Sequence, residues 1–171
     1  MRTQSNSTYE EFIKDLSSDA TRDIKSGFRD VPRVFKITGP EKLFRFAGFS
    51  PDGNSNNPKG SWWMSDYQYT EYQERANRMN VNTSDFVKFK IALSKGWNDM
   101  SNLFELNVPG GSTLDALIGT AASQPFLSHD LTESEQGNFQ YGKIVFIGGA
   151  EQIYIKAKDI EKYSVQQVFN W

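Results

Sequence analysis

Between residues 9 and 24 the apolar positions recur at steps of three and four. Tyr9, Phe12, Ile13, Leu16, Ala20 and Ile24 fall on one stripe, the spacing of an amphipathic helix. Thr8 and Glu11 have capping-box spacing at its start, and Gly27 supplies a stop. From Val31 the period shortens to two. "VPRVFKI" and "KLFRFAG" read as strands rich in β-branched and aromatic residues, with Gly39 and Pro40 as the turn between them. In the second run Leu43, Arg45 and Ala47 share one face, and Phe44 and Phe46 the other. "SPDGNSNNPKG" is a polar loop and "SWWMS" a strand. "YTEYQERANRM" is a helix with Tyr69, Tyr72, Ala76 and Met79 on one side.

"TSDFVKFKIALSKGW" fits both periods. Thr83 or Ser84 as N-cap and Gly96 as stop decide for helix. The remainder is β: "NLFELNV", a Pro-Gly-Gly turn, "STLDALIG", "KIVFIGG", "EQIYIK" and "SVQQVF". Between these strands "SQPFLSHDLTESEQGNFQYG" is a long acidic loop, of a length that compact domains commonly reserve for function. The pattern predicts one α+β domain of two small, mainly antiparallel sheets facing each other. A helical segment over 1–30 precedes a main domain over 31–171.

Composition narrows what such a domain can do. The 171 residues carry a net charge of −2, which gives no chain-wide field for nucleic acid or anionic lipid. Cysteine is absent, so thiolate metal sites and cysteine nucleophiles are excluded, and no metal centre is expected. The single histidine, His129, stands in the acidic loop and reads as an exposed imidazole. Asp130, Glu133 and Glu135 read as a solvated loop edge, and "DGNSNN" lacks the spacing of a calcium loop. No apolar run approaches the ~20 residues of a membrane span. The N-terminal "MRTQSNSTYEEF" has no signal-peptide core. Aromatic residues reach 14%, and such rings either fill cores or line flat ligand sites.

Three short stretches carry candidate chemistry. In "LFRFAG" the fork of Arg45 could clamp a pyrophosphate or mark a barrel rim. In "GSWWMS", Trp62 and Trp63 point to opposite faces of a strand, as two halves of two packed layers or as one core ring and one free platform. A cationic ring over a free indole would gain about 0.5–2 kcal/mol. In "GGAEQIYI", Glu151 and Gln152 fall on opposite faces, and a core on the Ile153 and Ile155 side would leave Gln152 toward a cleft.

Taken in order, "LFRFAG…GSWWMS…NLFELNVPGGST…GGAEQIYI" resembles the NAD-consuming toxins of the ADP-ribosyltransferase fold found at the C-terminal ends of bacterial polymorphic and Rhs-type toxins. It is also similar to the mycobacterial necrotising toxin. The likeness spans residues 42–156. It implies an ADP-ribosyltransferase-like fold with NAD+ as substrate. Arg45 would hold the phosphates, and Ser65 would brace a nicotinamide pocket lined by Trp62 or Trp63. Gln152, beside Glu151, would lie near the nicotinamide ribose. It further implies an effector without a signal peptide acting in a target-cell cytosol. A macromolecular acceptor and a cognate immunity protein are the further partners it allows.

Two departures matter. Arginine-modifying members carry a Glu two residues before the catalytic Glu; here Ala150 precedes Gln152 and Gly149 precedes Glu151 at that spacing. The necrotising toxin's histidine has no counterpart in "GWNDMSN", where Asp99 or Asn102 stand instead. The first departure favours hydrolysis or a different acceptor. A non-catalytic β-rich binding module, with an indole as its stacking platform, is the reading from a different class.

Overall fold

The computed structural model describes residues 1–48, 57–91, 100–125, 145–146 and 148–170. The acidic loop with His129, most of "DGNSNN", and Gly96 to Asp99 lie outside the described residues.

The fold is α+β, and its organising element is a strand of four residues. Strand β4 (Trp62–Ser65) pairs with β9 (Glu151–Tyr154) through Trp62 opposite Tyr154 and Trp63 opposite Ile153. Its second half pairs with β3 (Glu41–Ala47), with Met64 opposite Phe44 and Ser65 opposite Leu43. On the far side of β9 lie β6 (Thr113–Thr120), β2 (Arg33–Thr38) and β1 (Arg2–Gln4). Beyond β3 lie β5 (Asn102–Val108) and β10 (Ser164–Asn170). The strand order is β1-β2-β6-β9-β4-β3-β5-β10, and every ladder is antiparallel. A separate two-stranded ladder joins β7 (Gln124–Pro125) to β8 (Val145–Phe146).

The expectation of two facing sheets is therefore corrected to one continuous eight-stranded sheet, because β4 shares its few residues between both halves. Facing nonetheless follows from connectivity. Four inter-strand steps of about 4.8 Å would set β2 and β3 about 19 Å apart in a flat sheet. Thr38 and Glu41 are joined by three Cα steps, at most about 11 Å. The sheet must fold over. Its turns meet at the fold: Gly39 donates to Ser112 O at 3.0 Å, and Gly39 bridges Gly110. Between the halves lies one core that takes Ile37 from β2, Leu43 from β3, Trp63 from β4, Leu106 from β5, Ile118 from β6 and Ile153 from β9.

The outer face carries two further cores. Helices α3 (Asp66–Met79) and α4 (Thr83–Ile91) cover Phe44, Phe46, Met64 and Leu103 with Tyr72 and Val87. Tyr69 stacks on Phe44 with centroids 4.6 Å apart. The N-terminal segment covers Val34, Leu117 and Tyr154 with Phe12, Ile24 and Phe28. The single N-terminal helix read from the stripe is in fact two, α1 (Tyr9–Ile13) and α2 (Ser18–Gly27). The capping box at Thr8 and Glu11 forms as spaced, with bonds of 3.1 and 2.8 Å. The break comes at Ser17, whose hydroxyl accepts from Ala20 N at 3.1 Å and starts a second helix. A short helix α5 (Ala157–Ile160) follows β9 and ties back to α1 through Lys156, which meets Asp15 at 2.6 Å and lies over the Phe12 ring at 4.5 Å. Lys158 also pairs with Asp15. Together they hold the Asp15 carboxyl well below the usual carboxylate range. Residues 1–28 are thus a brace built into the sheet. No helix among the described residues is long and apolar enough to cross a membrane.

Candidate functional site

The three stretches singled out from sequence occupy three neighbouring strands, with β4 between β9 and β3. Because β4 changes partner half-way, the sheet parts on both of its flanks: from β3 beside Trp62 and Trp63, and from β9 beside Met64 and Ser65. A side chain fills each gap.

On the β3 flank the filler is Arg45. Its Nη1 donates to Trp62 O at 3.0 Å and its Nε to Asn57 O at 3.3 Å. Gly60 lies directly against the guanidinium, since a Cβ there would sit 2.2 Å from Nη2. A side chain at position 60 would push the guanidinium out of this place. Arg45 keeps some surface, yet its surroundings are dense enough that burial draws its pKa down to about 10. It remains charged at neutral pH, with no acidic partner among the described residues. Each edge of its fork already has one donor committed to a carbonyl.

On the β9 flank the filler is Gln68, in the first turn of α3. Ser65 caps that helix, its buried hydroxyl accepting from Gln68 N at 3.1 Å. The Gln68 side chain then donates to Glu151 O at 2.7 Å and to Tyr72 Oη at 2.8 Å. Its own Oε1 is buried without a donor, as is Trp63 Nε1 without an acceptor. Ser65 was expected to brace a pocket; its hydroxyl is engaged as a helix cap.

Neither indole is a free platform. Trp63 is buried in the central core. Trp62 is half-buried on the opposite face, its ring centroid 5.1 Å from Phe28 and 5.1 Å from Tyr154. Two halves of two packed layers is the arrangement that forms.

The start of β9 is held from several sides. Gly148 and Gly149 precede it with φ of 66° and 89°, in the left-handed region where a side chain would be strained. Gly149 N donates to Ala121 O at 3.0 Å, Ala150 N to Lys90 O at 3.1 Å, and Ala121 N to Ala150 O at 2.7 Å. The Gln152 amide donates to Ile91 O, the last residue of α4, at 3.1 Å. Its Oε1 has no donor among the described residues. Glu151, on the Ile153 side of the strand, projects past the core into solvent, and Arg2 Nη1 meets its Oε1 at 2.8 Å. Tyr72, close enough to feel the Glu151 charge, has its pKa raised, chiefly by burial.

Sequence reasoning passed over Gln68 and Arg2. Nothing local marks either one: Gln68 is a polar residue in a helical run, and Arg2 sits in a polar tripeptide whose strand pairing is carried by the backbone. The Ser65-to-Gln68 capping interval was the one available signal. A separate cleft of about 320 Å³ opens between α1, β2, β6 and α5, lined by Phe12 and Val34 and by charged groups including Lys14 and Asp115. Its lining includes none of the sequence-predicted site residues.

The chain matches no family model, no curated protein and no solved structure. Geometry must carry the functional argument. Chemically, the start of β9 offers the amide oxygen of Gln152, the carboxylate of Glu151 and the exposed backbone of Gly149.

Proposed function

We propose that this chain is a toxin domain of the ADP-ribosyltransferase fold that binds NAD+ across β9, β4 and β3 and hydrolyses its nicotinamide–ribose bond. One observation carries the reading. The stretches "LFRFAG", "GSWWMS" and "GGAEQIYI", scattered over a hundred residues, lie on three adjacent strands around a strand that changes partner.

In this reading Gln152 is the catalytic residue. Its amide N–H is tethered to Ile91 O, which aims Oε1 as an acceptor for a ribose hydroxyl. As the C1′–N bond lengthens, its electron pair leaves with neutral nicotinamide and the ribose gains oxocarbenium character. A fixed acceptor near the ribose is worth more at that point than in the ground state. Water oxygen then bonds to C1′ and its proton passes to solvent, so no general acid is required. Ala150 and Gly149 at the positions of an acceptor-activating carboxylate favour water over a protein side chain. An effector of this kind acts in the cytosol of the cell it enters, where NAD+ is abundant, with an immunity protein as its cognate partner.

Nicotinamide release on incubation with NAD+ tests the proposal. Gln152→Ala should lower kcat on the order of 10²–10³-fold with little change in KM. Glu151→Gln, on the other face of the strand, should retain most activity; a larger loss there than in Gln152→Ala would move the site across the strand. Label from NAD+ appearing on macromolecules, in place of free ADP-ribose, would reassign the chain as a transferase. No nicotinamide release under either condition would end the enzyme reading.

A further inference from the structure

We propose that Arg29 is the anion-binding residue of this site, holding the pyrophosphate of a dinucleotide or of ADP-ribose over the Gly148–Gly149 corner. The inference rests on the NAD+ reading for its ligand and on separate observations for its residue.

A pyrophosphate is gripped best by a guanidinium that can offer two parallel N–H donors to solvent. Arg45 cannot: Nε and Nη1, one on each edge of its fork, are bonded to Asn57 O and Trp62 O, and Gly60 covers the group. Arg29 is its opposite in every respect. Its side chain is exposed and has no hydrogen-bond or ion-pair partner among the described residues. Its main chain is nevertheless fixed. Arg29 N donates to Thr120 O at 2.8 Å, Phe28 bridges Ala121, and Ala122 N donates to Gly27 O at 2.8 Å. Residues 27–29 thereby extend the sheet past the end of β6, on the side away from Gly149 and Ala150.

From that position the guanidinium reaches across Ala121 to the glycine corner. Its Nη2 lies 3.5 Å from where a Cβ of Gly149 would stand. Gly149 is itself exposed, so the fork and the bare backbone form one open surface. At most about 10 Å of extended chain separates Gly149 from Gln152, within the reach of one dinucleotide. Of the carbonyls near the corner, Lys90 O, Ile91 O and Ala121 O already accept from Ala150 N, the Gln152 amide and Gly149 N. A clamp on a rigid main chain with a free head group can bind without first breaking an internal contact.

The test is calorimetric titration of the full chain with inorganic pyrophosphate and with ADP-ribose. It uses wild type, Arg29→Ala, Arg29→Lys and, as a control cation on the other flank of β4, Lys59→Ala. Wild type should bind both ligands. Arg29→Ala should weaken each on the order of 10- to 100-fold, the scale of a lost charge-assisted pair. Arg29→Lys should recover part of the loss, and Lys59→Ala should match wild type. Arg29 is exposed, so melting temperatures should be unchanged and the affinities directly comparable. Equal affinity in Arg29→Ala and wild type, or no binding by wild type, overturns the proposal. Nicotinamide release with an unaltered KM in Arg29→Ala also overturns it while leaving NAD+ cleavage standing. Pyrophosphate binding that depends on Arg29 without any nicotinamide release supports the clamp and removes the cleavage reading instead.

Discussion

Arg45 and Gln152 occupy matching places on strands either side of β4, and both are half-buried with a donor on a backbone carbonyl. They differ in what remains. Arg45 commits donors on both edges of its fork and is sealed by Gly60, so its charge closes a seam in the sheet. Among the described residues Gln152 commits only its amide N–H, and its oxygen meets no donor. The same tethering that turns one side chain into a structural plug turns the other into an aimed acceptor. What a polar group in a sheet can do for a ligand depends on how many of its donors and acceptors the fold has already claimed.

The comparison breaks most visibly through stability. Trp62→Ala removes a ring packed on Phe28 and Tyr154 and should cost about 3–5 kcal/mol in urea unfolding. A loss below about 1 kcal/mol would mean that the ring is a ligand platform after all. Arg45→Ala strands the part-buried Trp62 carbonyl and should cost about 1–3 kcal/mol. Gln152→Ala, by contrast, should stay within about 1 kcal/mol while losing turnover. If both variants lose stability equally, the distinction between plug and acceptor fails. Ser65→Ala should cost about 1 kcal/mol through the α3 cap alone; a drop in activity with no change in unfolding midpoint would restore Ser65 to the ligand.

The smallest effect concerns the brace. Asp15 has its pKa lowered mainly by hydrogen bonds from Lys156 and Lys158. A depressed carboxylate contributes stability above its unfolded pKa, near 3.8, and loses that contribution as pH falls through the lower folded value. Asp15→Asn should therefore lower the melting temperature slightly at neutral pH, and the gap to wild type should close in strong acid. A gap that widens on acidification would show the sign to be wrong.

How much of this was legible in the sequence follows from range. Strands β2 to β6 and helix α3 announce themselves because their periodicity is local, whereas the α4 stretch fits both periods and was settled by its end signals. The alternation in "LFRFAG" even placed Leu43 and Phe44 on opposite cores correctly. The helix break at Ser17 was hidden by a stripe that continues through it. Strand β1 was invisible because "RTQ" has no apolar face; it pairs through main-chain groups alone. The continuity of the sheet through β4 was equally hidden, since its β9 partners lie about ninety residues away and leave no local period. Arg29 and Gln68 owe their placement to such long-range pairing, whereas the tether on Gln152 depends on where α4 happens to end.

The position of β9 has a consequence for how the molecule is made. It is the strand that joins β6 to β4, and its four residues begin at Glu151. A ribosome delivering the chain will have released β2, β3, β4, β5 and β6 while the slot between β6 and β4 is still vacant. Two strand edges must then wait, unpaired, for a segment that arrives late. The same segment carries Gln152, so the slot cannot be filled before the proposed catalytic group has been made. Assembly and activation fall on one event.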